Sequence, residues 1–300
     1  MMTAIAFSHL LFWENPLSTL CFFALGMSFL SFWVKRTAWL WGTFLLIAII
    51  LAFQANIAGW ISLIPIAILF FCHFLIKEET GMGARFILFG IATLTSSALY
   101  FHFLPGFNNW NVAHNFQASS NSYPFNVWLN FDKPFIGIFV LAFGAPLLSS
   151  KKQWARVLKT TLPISAIGIA VIMAIGFYFK VIKWDPKIPI IFFIWTINNL
   201  IFVCIPEEAF FRGFFQRQLN RFFGEGSLSG LGSVIVAALY FTLMHLKWAA
   251  SLPLLLPIFL AGLLYGTIYQ TTKAIEGSIL CHFGLNLTHF LLFSYPALQI

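Results

Sequence analysis

Charge is what this chain is short of. Asp, Glu, Lys and Arg make up 9% of its 300 residues, where a soluble domain carries about 25%. So little polar surface cannot coat a water-facing globule, which excludes a soluble enzyme or binding module and leaves lipid as the main solvent. Cysteine is scarce too. Cys21, Cys72, Cys204 and Cys281 lie singly within apolar runs, with no CxxC spacing; each reads as a small buried hydrophobe, and no disulfide framework is implied. The formal net charge is +8, but the basic residues come in ones, twos and threes between apolar runs and never form a basic face. That placement excludes nucleic acid as a partner and marks loops at a membrane surface. The first residues lack a basic n-region and a small-residue cleavage site, so Leu17–Val34 is expected as a retained first span.

What is abundant is apolar sequence: 60% of the residues, with a mean hydropathy of +0.88. A helix needs about 20 such residues to cross the hydrocarbon core. The candidates are Leu17–Val34, Ala38–Phe53, Ile57–Ile76, Phe86–Leu104, Phe135–Leu148, Thr160–Phe179, Ile188–Phe215, Leu228–Leu246, Leu252–Gln270 and Gly277–Phe293. The expected fold class is therefore all-α: a polytopic transmembrane helix bundle of about ten spans (8–10), the second and fifth being the shortest. No internal repeat or low-complexity tract is present. Most basic residues, among them Arg85, Lys151, Lys152, Arg156, Arg217 and Arg221, fall on one side when the spans alternate. The positive-inside rule then puts both termini and the long loop Pro105–Pro134 outside. In that loop Asp132 and Lys133 are the only charges. The expected location is a multi-pass integral membrane protein, in the plasma or inner membrane if the host is bacterial, with membrane lipid as its first partner.

The apolar run Ile188–Phe215 breaks the pattern. It carries Glu207, Glu208 and Arg212 within the stretch PEEAFFRG, while the other runs carry no charge. A charge at mid-bilayer costs roughly 2.5–3.5 kcal/mol on insertion scales, so a cluster of three needs a reason. One reading is that the segment lies amphipathically on the inner surface. The spacing argues for more. Glu208 and Arg212 are i,i+4 with the acid first, the favoured order for a helical ion pair. Glu207 is about 100° away around the helix, free to face something else, and an unpaired carboxylate in apolar surroundings suits a general base. Pro206 is expected to kink the span or start a new helix, placing both acids at a helix break. Two later helices then carry Phe241 with His245, and His282 with Asn286, each pair one turn apart on one face. A lone histidine in an apolar helix is usually a packed core residue, and a lone asparagine is usually interhelical glue. At 1.5 Å per residue Glu207, His245 and His282 can nevertheless meet in the inner half of the membrane. His289 shares a face with Asn286 and reads as a packing residue, as do His9, His73, His102 and His114.

Glu-Glu-x-x-x-Arg, then Phe-x-x-x-His, then His-x-x-x-Asn, in this order, resembles the three signature motifs of the CPBP intramembrane proteases. That group includes the type II CAAX prenyl endopeptidases and bacterial relatives linked to bacteriocin processing or immunity. The resemblance divides the chain into N-terminal transmembrane helices without a motif (1–187) and a CPBP-like catalytic transmembrane domain (188–300). It implies an intramembrane endopeptidase acting on a membrane-associated peptide or protein. In it Glu207 activates water with His245, His282 and Asn286 donate to the oxyanion, and Glu208, Arg212 and Phe241 support the site. Family usage also implies a metalloprotease, with Glu207, Glu208, His245 and His282 as candidate zinc ligands. However, there is no His-Glu-x-x-His, and the histidines sit on different helices, so a metal-free glutamate mechanism is preferred. Two rivals stand beside it: an ion- or proton-coupled transporter using the same Glu/Arg/His cluster, and a catalytically inactive scaffold of the family. Against the first stands the absence of repeated halves.

Overall fold

The computed structural model describes residues 15–34, 38–76, 80–224, 226–247, 249 and 251–299. His9, Lys35, Arg36 and Lys77 lie outside the described residues. Ten helical segments follow one another: α1 (Pro16–Val34), α2 (Ala38–Gln54), α3 (Leu63–Leu75), α4 (Met82–Tyr100), α5 (Phe135–Phe143), α6 (Lys151–Tyr178), α7 (192–223), α8 (Ser227–Met244), α9 (Leu252–Thr272) and α10 (Ile275–Leu292). They fall on the ten apolar runs, so the protein is a helical membrane protein. Among the described residues, five of these helices (α1, α4, α6, α8 and α9) are long and apolar enough to cross a bilayer on their own.

Two features correct the sequence reading. The fold is not purely α-helical. Trp110–Phe116 (β1) pairs antiparallel with Phe125–Leu129 (β2), inside the stretch taken for a structureless loop. The hairpin buries Val112, Ala113, Val127 and Leu129, and register shifts interrupt its pairing. The fifth run is also shorter than expected. Gly144 ends α5 and Pro146 follows, which holds Ala145 away from helical backbone angles. At 1.5 Å per residue α5 spans only about half of a 30 Å hydrocarbon core.

That short helix is the centre of the molecule. Phe135 to Leu141 are all buried, the mark of a helix enclosed on every side. It packs against α1, α3, α4 and α7. Gly137 makes the tightest of these approaches: a Cβ there would sit 2.4 Å from Cα and 2.7 Å from the carbonyl oxygen of Pro206. Backbone cannot move aside as a side chain can. Gly137→Ala is thus expected to destabilise the fold by about 1–3 kcal/mol or more, the scale of an overpacked core. A melting temperature in detergent equal to that of the wild type would contradict this.

Elsewhere, local signals set the elements. Ser150 and Gln153 form a capping box at the start of α6. A polar ladder joins α7 to α9. Arg212 donates to the carbonyl of Gly262 at 3.0 Å and Gln216 to that of Gly266 at 3.0 Å. Asn220 donates to Gln270 at 2.9 Å. Both series repeat every four residues, so donors on one face of α7 meet acceptors on one face of α9. Gly262 and Gly266 permit this because they leave their carbonyls uncovered and let the helices close up.

Candidate active site

The site is built on α7. Its backbone stays helical from 192 to 223 but widens into π-turns over Asn198–Cys204 and Ala209–Gln216, with the α-helical turn Ile205–Glu208 between them. Pro206 stands in the first turn of that α-helical stretch, as expected of a proline, while the helical backbone runs on through it. The π stretch before it takes up the N–H that proline lacks and the space its ring needs. The two acids are thus presented between two π-turns, an arrangement found mostly at functional sites.

Glu208 is the hub. Its Oε1 accepts from Arg212 Nη1 at 3.0 Å, the i,i+4 pair read from the sequence, and from His282 Nδ1 at 2.8 Å. Glu208 and Arg212 are wholly buried and His282 is 4% exposed. Phe241 explains its own place in the motif. Its ring lies 4.9 Å from the Arg212 guanidinium, 4.4 Å from the His245 ring and 5.9 Å from the His282 ring. Tyr265 stacks on His282 at 4.6 Å and lies 5.2 Å from the guanidinium. The Glu208 carboxylate and two rings, Phe241 and Tyr265, thereby fix the His282 imidazole in place.

His245 terminates α8. Its Nδ1–H donates to the Phe241 carbonyl at 2.7 Å, which leaves Nε2 to accept from the Tyr100 hydroxyl at 3.2 Å. Asn286 Nδ2 donates to Asn199 Oδ1 at 3.2 Å and, more weakly, to Cys204 Sγ at 3.7 Å, which together orient the amide. His245, His282 and Asn286 border one cavity of about 530 Å³. Its far wall is apolar, with Ile172 and Met173 from α6 and Leu254 and Ile258 from α9. A non-helical segment closes one side, where Ala297 accepts from Tyr123 N at 3.0 Å and Leu298 donates to the Val181 carbonyl at 2.9 Å. Glu207 lies behind the histidine wall, 1% exposed and within electrostatic reach of both His245 and His282.

The structure thus brings together every residue singled out from the sequence: Glu207, Glu208, Arg212, Phe241, His245, His282 and Asn286. It differs on Glu207, which is not unpaired. Its Oε1 meets Lys133 Nζ at 2.5 Å, while its Oε2 is buried without a hydrogen-bond partner. Sequence reasoning missed Lys133, Tyr100, Asn199 and Tyr265. For Lys133 a faint signal existed, as one of two charges in the longest loop. His102 is not a bland packing residue either, since its Nδ1 meets Asp132 Oδ2 at 2.6 Å. His289 lies at the cavity edge with its Nε2 at 3.1 Å from the Ser294 carbonyl.

The donor set fits zinc poorly. Glu208 Oε1 already accepts from Arg212 and His282, Glu207 Oε1 takes an ammonium, and Nδ1 of each histidine is committed. Among the described residues no three His, Cys, Asp or Glu side chains are grouped to share a metal ion. In the comparisons with known proteins, residues 189–288 match a family model described as type II CAAX prenyl endopeptidase Rce1-like. This stretch contains all three motifs and omits Lys133 and Tyr100. No curated protein and no solved structure gave a match.

Proposed function

Because residues 189–288 match the family model of type II CAAX prenyl endopeptidases, we propose that the chain is an intramembrane endopeptidase that hydrolyses a peptide bond of a membrane-associated substrate. One observation carries the reading: a buried carboxylate with a free oxygen, Glu207 Oε2, lies within electrostatic reach of two oriented histidines, which with an oriented amide line an apolar cavity. A transporter path would need polar lining on both sides of such a cavity, and its far wall is hydrocarbon.

The mechanism follows from the free atoms. A water drawn from the cavity gives a proton to Glu207 Oε2, and its oxygen adds to the scissile carbonyl carbon. The Asn286 amide, on giving up its weak contact with Cys204 Sγ, and the outer edge of His282 face the developing oxyanion. His282 Nδ1–H is spent on Glu208, so donation through Nε2 requires both ring nitrogens to carry hydrogen. The tetrahedral species then breaks at its C–N bond, and the proton held on Glu207 passes to the leaving amine. His245 orients the water through the Tyr100 hydroxyl that it holds at Nε2, whose oxygen can still accept from the water. Glu208 and Arg212 are positioning residues, and no metal enters any step. The family's printed name points to a substrate bearing a prenylated cysteine near its C-terminus, and the cavity's apolar wall suits such a lipid chain. The chain is then multi-pass, with five helices long enough to cross a bilayer on their own and α5 entering only part of it.

Comparative proteomics of membranes carrying the wild type or Glu207→Ala tests the proposal. Peptides cleaved only by the wild type are expected; identical peptide sets would refute it.

A further inference from the structure

Tyr100 at the end of α4 and Lys133 just before α5 bond to motif residues from outside residues 189–288. We propose that Lys133 is the positioning residue for Glu207, so that the N-terminal part of the chain completes the active site. The proposal rests on Glu207 as the base.

The geometry gives Lys133 a defined task. Its ammonium holds Oε1 of Glu207 at 2.5 Å, with the two side chains 12% and 1% exposed. Oε2 is left without a partner. A carboxylate oxygen that must collect a proton from water has to be free of other donors, while its twin anchors the group. Lys133 supplies that asymmetry by holding Oε1 alone. The ammonium also stands 4.5 Å above the centre of the Tyr100 ring, whose hydroxyl donates to His245. One cation thus touches the base directly and meets the water-orienting histidine through the tyrosine.

Lys133 is held rather than draped. Asp132 Oδ1 accepts from the Lys133 backbone N–H at 2.8 Å and from Asn109 at 3.1 Å, and Oδ2 meets His102 at 2.6 Å. Asn109 in turn accepts from the Phe131 N–H at 2.8 Å. One turn into α5, Gly137 lies against Pro206, the residue before Glu207. The segment is therefore pinned on both sides of the lysine. A role in stability alone is a poor account of it, because buried ion pairs often contribute no more than apolar residues of the same volume.

Four full-length proteins test the proposal: wild type, Lys133→Met, Lys133→Arg, and Lys133→Met combined with Glu207→Gln. Cleavage in membranes is read on the peptides that wild type cuts and Glu207→Ala does not. Lys133→Met is expected to lose at least about a hundredfold in cleavage rate, and Lys133→Arg to retain activity within about tenfold of wild type, the range set by general-base contributions. Melting in detergent separates charge from packing. Lys133→Met should melt below the wild type, and the double variant should regain most of the loss, since it no longer buries a lone carboxylate. Wild-type cleavage by Lys133→Met, or a double variant no more stable than Lys133→Met, overturns the proposal. Should the wild type cleave nothing, the protease reading fails, while the melting comparison still decides whether Lys133 is the counter-ion of Glu207.

Discussion

Glu207→Gln is expected to lose cleavage by about 10²–10⁴-fold while the protein still accumulates in the membrane, as judged by immunoblot beside the cleavage assay. The amide keeps the shape of the side chain, and its carbonyl oxygen can still accept from Lys133 Nζ. It removes the oxygen that collects the proton. Arg212→Ala should behave in the opposite way. Arg212 is fully buried and donates to both Glu208 and the Gly262 carbonyl. Its loss leaves the Glu208 carboxylate with His282 as its one remaining partner and costs about 3–5 kcal/mol, the scale of breaking a buried pair. Most of a typical folding free energy of 5–15 kcal/mol would be needed to absorb that. Abundance should fall steeply. Equal abundance of the two variants, or cleavage retained by Glu207→Gln, would reverse the assigned roles.

His282→Ala and Asn286→Ala are each expected to slow cleavage by about 10²–10³-fold, the effect of losing one oxyanion donor, with no change in metal content. Elemental analysis of the purified wild type and both variants reads the second part directly. A zinc ligand set would give near-stoichiometric metal that disappears with His282. The expected result is little metal in all three proteins, because the acids that would bind it are already held by Lys133, Arg212 and His282. One zinc per wild-type chain, lost in His282→Ala, would replace the glutamate mechanism with a metal one.

The motif residues were legible because charge is so rare here that Glu207, Glu208 and Arg212 stand out against an apolar background. Two one-turn spacings then marked His245 and His282 with Asn286. Helix positions were legible for the same reason, since lipid forces every apolar run to satisfy its own backbone. What stayed hidden depends on contacts far apart in sequence. Lys133 meets Glu207 from another element, and a single lysine in a polar loop carries no spacing to betray it. The β1–β2 hairpin was missed because Trp110–Phe116 mixes apolar and polar residues with bulges, and so lacks the strict alternation of a strand.

The ladder between α7 and α9 bears on how a peptide can enter. Arg212 and Gln216 grip carbonyls one turn apart, so the contact acts as a mechanical detent. A slide of less than a full turn, about 5.4 Å, would strand both donors where no water can replace the lost acceptors. These two helices are therefore locked in register and travel as one rigid jaw. Any opening of the cavity that holds His245, His282 and Asn286 falls to its other borders, the apolar face of α6 and the extended segment around Ala297.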